Sequence, residues 1–254
     1  MEQGIIEFPS MAIIKLNFEN IFDSWETHFS VDAMYYHAAR QAQVRAGCSE
    51  QKINEIKTRW DSLDKAYEET LKKYGDNITT GYDELEPIAI QLSNVHDELG
   101  YVYAPLLKEV SIVHILCVAT LEAHINSVAR DLLNRSDLDH FKDLRLISKW
   151  RFLPKLVGLP GFDAGKEPFQ GFSRLLKFRN KLVHHKGSKE KWVYGAAPHF
   201  IEELGLTFAD SQNSTKSTEA MISELAQRRG IEPPKWLQED IDDTSYFKLV
   251  TKSY

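Results

Sequence analysis

The 254 residues fit one large domain or two small ones, and a hydrophobic content of 43% is enough for a real core. No uninterrupted run reaches the roughly 18 apolar residues of a membrane span. The start of the chain lacks the basic and apolar pattern of a signal peptide, and two cysteines make neither a disulfide framework nor a zinc site, so the expected compartment is the cytoplasm. The net charge of −6 argues mildly against a nucleic-acid partner, but residues 142–191 hold 13 Lys/Arg against 4 Asp/Glu, and local sign steers a polyanion more than total charge.

Residues 11–18 are β-branched and extended in character, as are residues 246–251. The two segments are expected to pair into a small terminal sheet. Between them the pattern is helical. Ser30 suits the N-cap of a helix from Val31 to Ala46, closed by Gly47. Ser49 suits the cap of the next, from Glu50 to Tyr74, which carries Ile53, Ile56, Trp60, Leu63, Tyr67 and Leu71 at spacings of three and four. Further helices are expected over 83–99 and 105–134. The second is apolar nearly all round in its first half and belongs at the centre of a bundle. His114 and His124 on that helix read as hydrogen-bonded core histidines, and Cys117 as a small buried thiol. Another helix covers 144–157, followed by a Gly/Pro loop over 158–165. Residues 211–217 read as a polar loop before a short helix over 218–229.

The stretch from Pro168 to Gly187 carries the chemistry. Pro168 suits a first helical turn and Gly187 the residue past the end. At 100° per residue, Phe172, Leu175, Leu176, Leu182 and Val183 form one apolar stripe, and Arg179 falls in its middle. A buried, unpaired arginine is costly, so a carboxylate, an oligomer interface or a concave anion site must offset it. Asn180 and His184 are four apart and share a face at the stripe's edge, where Arg179 can reach. The plainer reading is an arginine that snorkels or pairs with a core acid such as Glu122, and a histidine that only meets the helix dipole. Trp60, Trp150 and Trp192 are packing residues by the same plain reading. Trp192 and Tyr194 could also stack on bases.

The run Phe178-Arg179-Asn180-Lys181-Leu182-Val183-His184 resembles the signature of HEPN domains (higher eukaryotes and prokaryotes nucleotide-binding): an arginine, a polar residue and a histidine after a short gap. The segment Leu121-Glu122-Ala123-His124-Ile125-Asn126 is similar to the helix that precedes this motif in such proteins. The resemblance covers about residues 100–190, with an N-terminal helical extension over about 19–99 and a C-terminal extension over about 191–254. It implies a mainly α fold, a helical bundle of HEPN type with long antiparallel helices in a single domain. It further implies a homodimer whose motifs face each other, and a metal-independent endoribonuclease without cofactors, of the kind found in phage defence and toxin–antitoxin pairs. Some members of the family are instead non-catalytic modules that bind a nucleotide, RNA or a protein partner.

On that reading Arg179, Asn180 and His184 are catalytic. Lys177, Lys181, His185 and Lys186 bind RNA, with His185 an alternative to His184, and Glu122 is supporting. A cognate antitoxin or defence protein is the implied partner. In members silenced by a nucleotidyltransferase, a tyrosine lies two residues after the motif histidine. Here that residue is Lys186, so regulation by tyrosine adenylylation is not expected.

Overall fold

A computed structural model describes residues 5–6, 14–15, 25–75, 78–187, 197–238 and 247–251. The protein is mainly helical, a bundle built on two long antiparallel helices, α1 (Val31–Tyr74) and α2 (Ile78–Leu132). At 1.5 Å per residue they extend about 66 and about 80 Å. The second half of α1 and the first half of α2 form an arm, closed by Ile53, Ile56, Trp60, Leu92, Val95 and Leu99. The rest of α2 runs through the body. There it packs against α3 (Arg135–Lys142), α4 (Leu146–Leu156), α5 (Phe169–Val183) and α7 (Phe208–Arg228). The short α6 (His199–Leu204) bridges the arm core and α5. In the body, Val113, Cys117, Leu121 and Ile125 of α2 meet Tyr36, Trp150, Phe172, Leu175 and Met221, all essentially inaccessible to water.

Four expectations change. Gly47 does not end a helix, because α1 runs through it without a break. A Cβ at Gly47 would sit 3.2 Å from the Phe208 ring, so this glycine serves a close helix approach. Ser49 then turns its hydroxyl back to the Arg45 carbonyl, 3.3 Å away, as a mid-helix serine does. The separate helices expected over 83–99 and 105–134 are one, despite Pro87 and Pro105 inside it. Proline removes a backbone donor, for Pro105 the one to the carbonyl of Tyr101. That turn faces solvent, with Tyr101 82% exposed, so water can take the vacated acceptor.

Residues 211–217 are not a loop but the first turns of α7. Thr207 and Asp210 make a reciprocal capping box, and Ser211, Ser217 and Thr218 donate to carbonyls three or four residues back. These small polar side chains pack inward without leaving unpaired hydroxyls, and Ser211, Ser214, Thr215 and Thr218 are buried. Finally, β4 (Phe247–Thr251) pairs antiparallel with β3 (Trp25–Phe29), Phe29 opposite Phe247. Of the segment expected to meet it, the described residues are β2 (Ile14–Lys15), which pairs with β1 (Ile5–Ile6).

Continuity also changes what α2 is. As an uninterrupted apolar run it is too short for a membrane. As one helix, Gly81–Leu132 is long and apolar enough to cross one by length and composition, and half of its most apolar stretch is buried inside the fold. The two core histidines are as expected. The His124 Nδ1 lies 2.9 Å from the Asp32 carboxylate, and the His124 ring stacks on Trp150. Burial pushes the Asp32 carboxyl up, but hydrogen bonds from His124 and Ser30, and the His124 charge, outweigh it and leave it below its usual range.

Candidate functional site

The motif lies on α5, which begins after a cis Glu167–Pro168 bond and is 15 residues long. It ends at Val183 rather than running on to Gly187, so His184 is its C-cap. The His184 N–H donates to the Asn180 carbonyl at 3.0 Å, closing the last turn. The apolar stripe changes character along this length. Phe172 and Leu175 are buried in the body core, Leu176 and Leu182 are half-buried, and Val183 is 53% exposed. The C-terminal half of α5 thus leaves the body core: Leu182 packs instead against the arm core, and Arg179 lines a groove. This removes the burial problem posed by Arg179. It is half-buried, its guanidinium donates to the Asn180 Oδ1 at 3.1 Å, and among the described residues it pairs with no carboxylate.

An open groove of about 910 Å³ gathers Glu122 and Val118 from α2, Arg145, Leu146 and Ile147 from the start of α4, and Lys177, Arg179, Asn180, Lys181 and His184 from α5. Glu122 faces the groove without an ion pair to Arg179. Lys181 borders the groove but its Nζ donates to the Glu203 carbonyl at 2.6 Å, a cation on the last turn of α6. His185 and Lys186 are exposed beyond the helix end and do not line the groove. The RNA-binding candidates are thus separated: Lys177 stands in the groove, Lys181 borders it but is tethered, and His185 and Lys186 are outside it. Trp192 and Tyr194 lie outside the described residues. Among the described residues no three His, Cys, Asp or Glu side chains gather as a metal-ligand set.

One residue before Arg179, α5 is clamped against α2 and the residue past α6. Phe178 stacks on the His114 ring, centroids 5.4 Å apart, and covers Gly205. His114 is wholly buried, with Nε2 2.7 Å from the Gly205 carbonyl and Nδ1 2.8 Å from the Ser214 hydroxyl. A carbonyl can only accept, so the Nε2 N–H donates to Gly205; the single proton of the Ser214 hydroxyl lies within reach of both Nδ1 and the Asp210 carbonyl, 3.0 Å away. Burial holds His114 below the ordinary imidazole range, against the opposing pull of the Gly205 carbonyl and the Asp210 charge. Gly205 has φ 68°, a left-handed conformation natural to glycine, and a Cβ there would run into the Phe178 ring.

Arg145 is the groove residue that the motif did not point to. It precedes α4 by one position, and the only signal for it in the sequence is its membership of the basic segment.

Comparison with family models, with curated proteins and with solved structures finds no match to this chain.

Proposed function

We propose that this protein is a metal-independent endoribonuclease of HEPN type, acting as a homodimer in the cytoplasm in phage defence or as the toxin of a toxin–antitoxin pair. The observation that supports it is the convergence of Arg179, Asn180 and His184, with Glu122 opposite, on one solvent-open groove where the guanidinium has no carboxylate partner among the described residues. A cation held by an amide and left unneutralised suits an incoming phosphate.

In the proposed reaction the 2′-hydroxyl of RNA attacks its adjacent phosphate. The 2′-O–P bond forms, the P–O5′ bond breaks, and the products are a cyclic phosphate and a 5′-hydroxyl. One histidine takes the 2′-proton and one delivers a proton to the leaving oxygen. Two copies of His184, one from each protomer, supply both roles. Arg179 stabilises charge building on the phosphoryl oxygens, and Asn180 orients it. Only RNA carries this internal nucleophile. Self-association is supported by exposed apolar side chains on the helices that form the groove, of which Ile147 itself lines it. Val183 is 53%, Ile115 44% and Ile147 37% exposed, and Ile115 shares a helix face with Val118 and Glu122.

A second reading, a non-catalytic module that binds a protein partner, draws on the arm. Residues 50–100 carry 12 Asp/Glu against 6 Lys/Arg, a surface that repels a polyanion and suits a basic protein.

The deciding experiment is RNA cleavage by the purified protein in excess EDTA, beside His184→Ala and Arg179→Ala. Cleavage by the wild type, with losses of about 100-fold or more in each variant, is the expected result. An inert wild type on structured and unstructured RNAs, or variants that cut equally well, would end the catalytic reading.

A further inference from the structure

The helix α4 has two faces of opposite character. Its inner face holds Lys149, Trp150, Leu153 and Pro154, all buried. Lys149 donates to the Asn126 Oδ1 at 3.0 Å and Trp150 packs against Phe162 and Phe172, so α4 is firmly seated. Among the described residues nothing covers its outer face. Phe152 is 45% and Leu156 58% exposed, and Arg151 and Lys155 lie beside them, one turn apart and exposed. Two like charges at that spacing weaken a helix. Among the described residues neither has a carboxylate within ion-pair distance, and the same is true of Arg145. An aromatic ring flanked by uncompensated cations is a poor surface to leave in water. It is complementary to a strand that offers both flat apolar faces and negative charge.

This face is continuous with the motif groove. Arg145 and Ile147, at the start of α4, line the groove that holds Arg179 and His184. From there α4 extends about 16 Å along its axis. We propose that the outer face of α4 is an extended binding track for the substrate, and that the substrate is single-stranded RNA. The strand leaves the groove past Arg145, sets a base on Phe152 and lays its phosphates along Arg151 and Lys155. A duplex hides its bases in the stack and cannot use Phe152. This inference rests on the RNA reading of the groove and adds the strandedness of the substrate.

The test is binding, read by fluorescence anisotropy with a labelled uridine homopolymer and, separately, a fully paired duplex. All proteins carry His184→Ala, so that no cleavage intervenes. Phe152→Ala is expected to weaken binding of the homopolymer by about tenfold or more and leave the duplex unchanged, while Phe152→Tyr, which keeps the ring, retains the affinity. Arg151→Glu with Lys155→Glu weakens binding and flattens its salt dependence. This pair, on exposed positions, keeps the test open if Phe152→Ala does not fold.

The track is overturned if Phe152→Ala and the charge reversal both bind as the parent does. It is also overturned if these variants change the oligomeric mass with RNA affinity intact, or if they abolish binding to phosphatidylserine vesicles and not to RNA. The two readings fail separately. A wild type that never cuts RNA, with Phe152-dependent binding intact, removes the nuclease and keeps the track. A wild type that cuts, with Phe152 and charge-reversal variants that bind RNA as their His184→Ala parent does, removes the track and keeps the nuclease.

Discussion

Phe178 and Arg179 are neighbours in α5, yet they belong to opposite kinds of environment. On the Phe178 side every polar atom of His114 is spoken for, the ring is stacked, and Gly205 is pressed against the helix. On the Arg179 side the guanidinium meets the Asn180 amide, and both line an open groove together with His184 and Glu122. The sealed side sets where the helix lies, and the open side keeps groups that remain available to a ligand. A polar residue whose capacity is consumed within the fold stabilises it; one whose capacity is unspent marks a place for something else.

The largest way to break this contrast is to empty the sealed side. Phe172 is fully buried and packs edge-on to Phe169. Phe172→Ala should cost about 3–5 kcal/mol, read as the shift in a urea unfolding midpoint. Next comes Gly205→Ala, which asks an L-residue to adopt φ 68° and pushes a Cβ into Phe178; about 1–3 kcal/mol is expected by the same measurement. If Gly205→Ala were silent, the clamp would not be holding α5.

A titration sharpens the contrast further. Burial lowers the His114 pKa in the folded protein, so the unfolded chain binds the proton first as pH falls. The stability from a neutral His114 is therefore present above about 6.5, the unfolded imidazole value, and is lost as pH drops through the lower folded value. Unfolding midpoints between pH 7.5 and 5 should decline, and His114→Gln, which keeps a donor and an acceptor, should flatten that part of the decline. An unchanged slope would mean that His114 does not titrate with folding.

Much of this architecture was legible in local pattern. The heptad-like spacing of Ile53, Ile56 and Trp60 announced α1, and the all-round apolar run placed α2 at the centre. What was not legible depended on partners distant in the chain. Gly47 reads as a helix end until Phe208 is seen against it, because a close approach and a C-cap use the same residue. Pro105 reads as a helix start until the tertiary packing of both halves of α2 outweighs one lost hydrogen bond. The Ser/Thr run of α7 reads as a loop because its hydroxyls compete with the backbone, until a capping box and burial turn that competition into support. The site follows the same rule. Arg179, Asn180 and His184 are adjacent on one helix and so were visible together. Arg145 joins them only through the placement of α4, and the apolar wheel misjudged Arg179 because it cannot show where a helix leaves the core.

The smallest expected effect is the most discriminating. If Arg179 and His184 belong to the open side, removing them deletes no packing that the fold relies on. Arg179→Ala loses one hydrogen bond to an exposed amide, and His184→Ala a side chain at an exposed C-cap. Each should move stability by no more than about 0.5 kcal/mol, the range of ordinary surface substitutions. The unfolding midpoint of each variant, measured beside Phe172→Ala, supplies the comparison. A cost of 2 kcal/mol or so for Arg179→Ala would mean a buried, structurally satisfied arginine and would place it with Phe178 on the sealed side. A negligible cost together with lost RNA cleavage would leave a residue whose presence the fold does not require and whose chemistry the groove does.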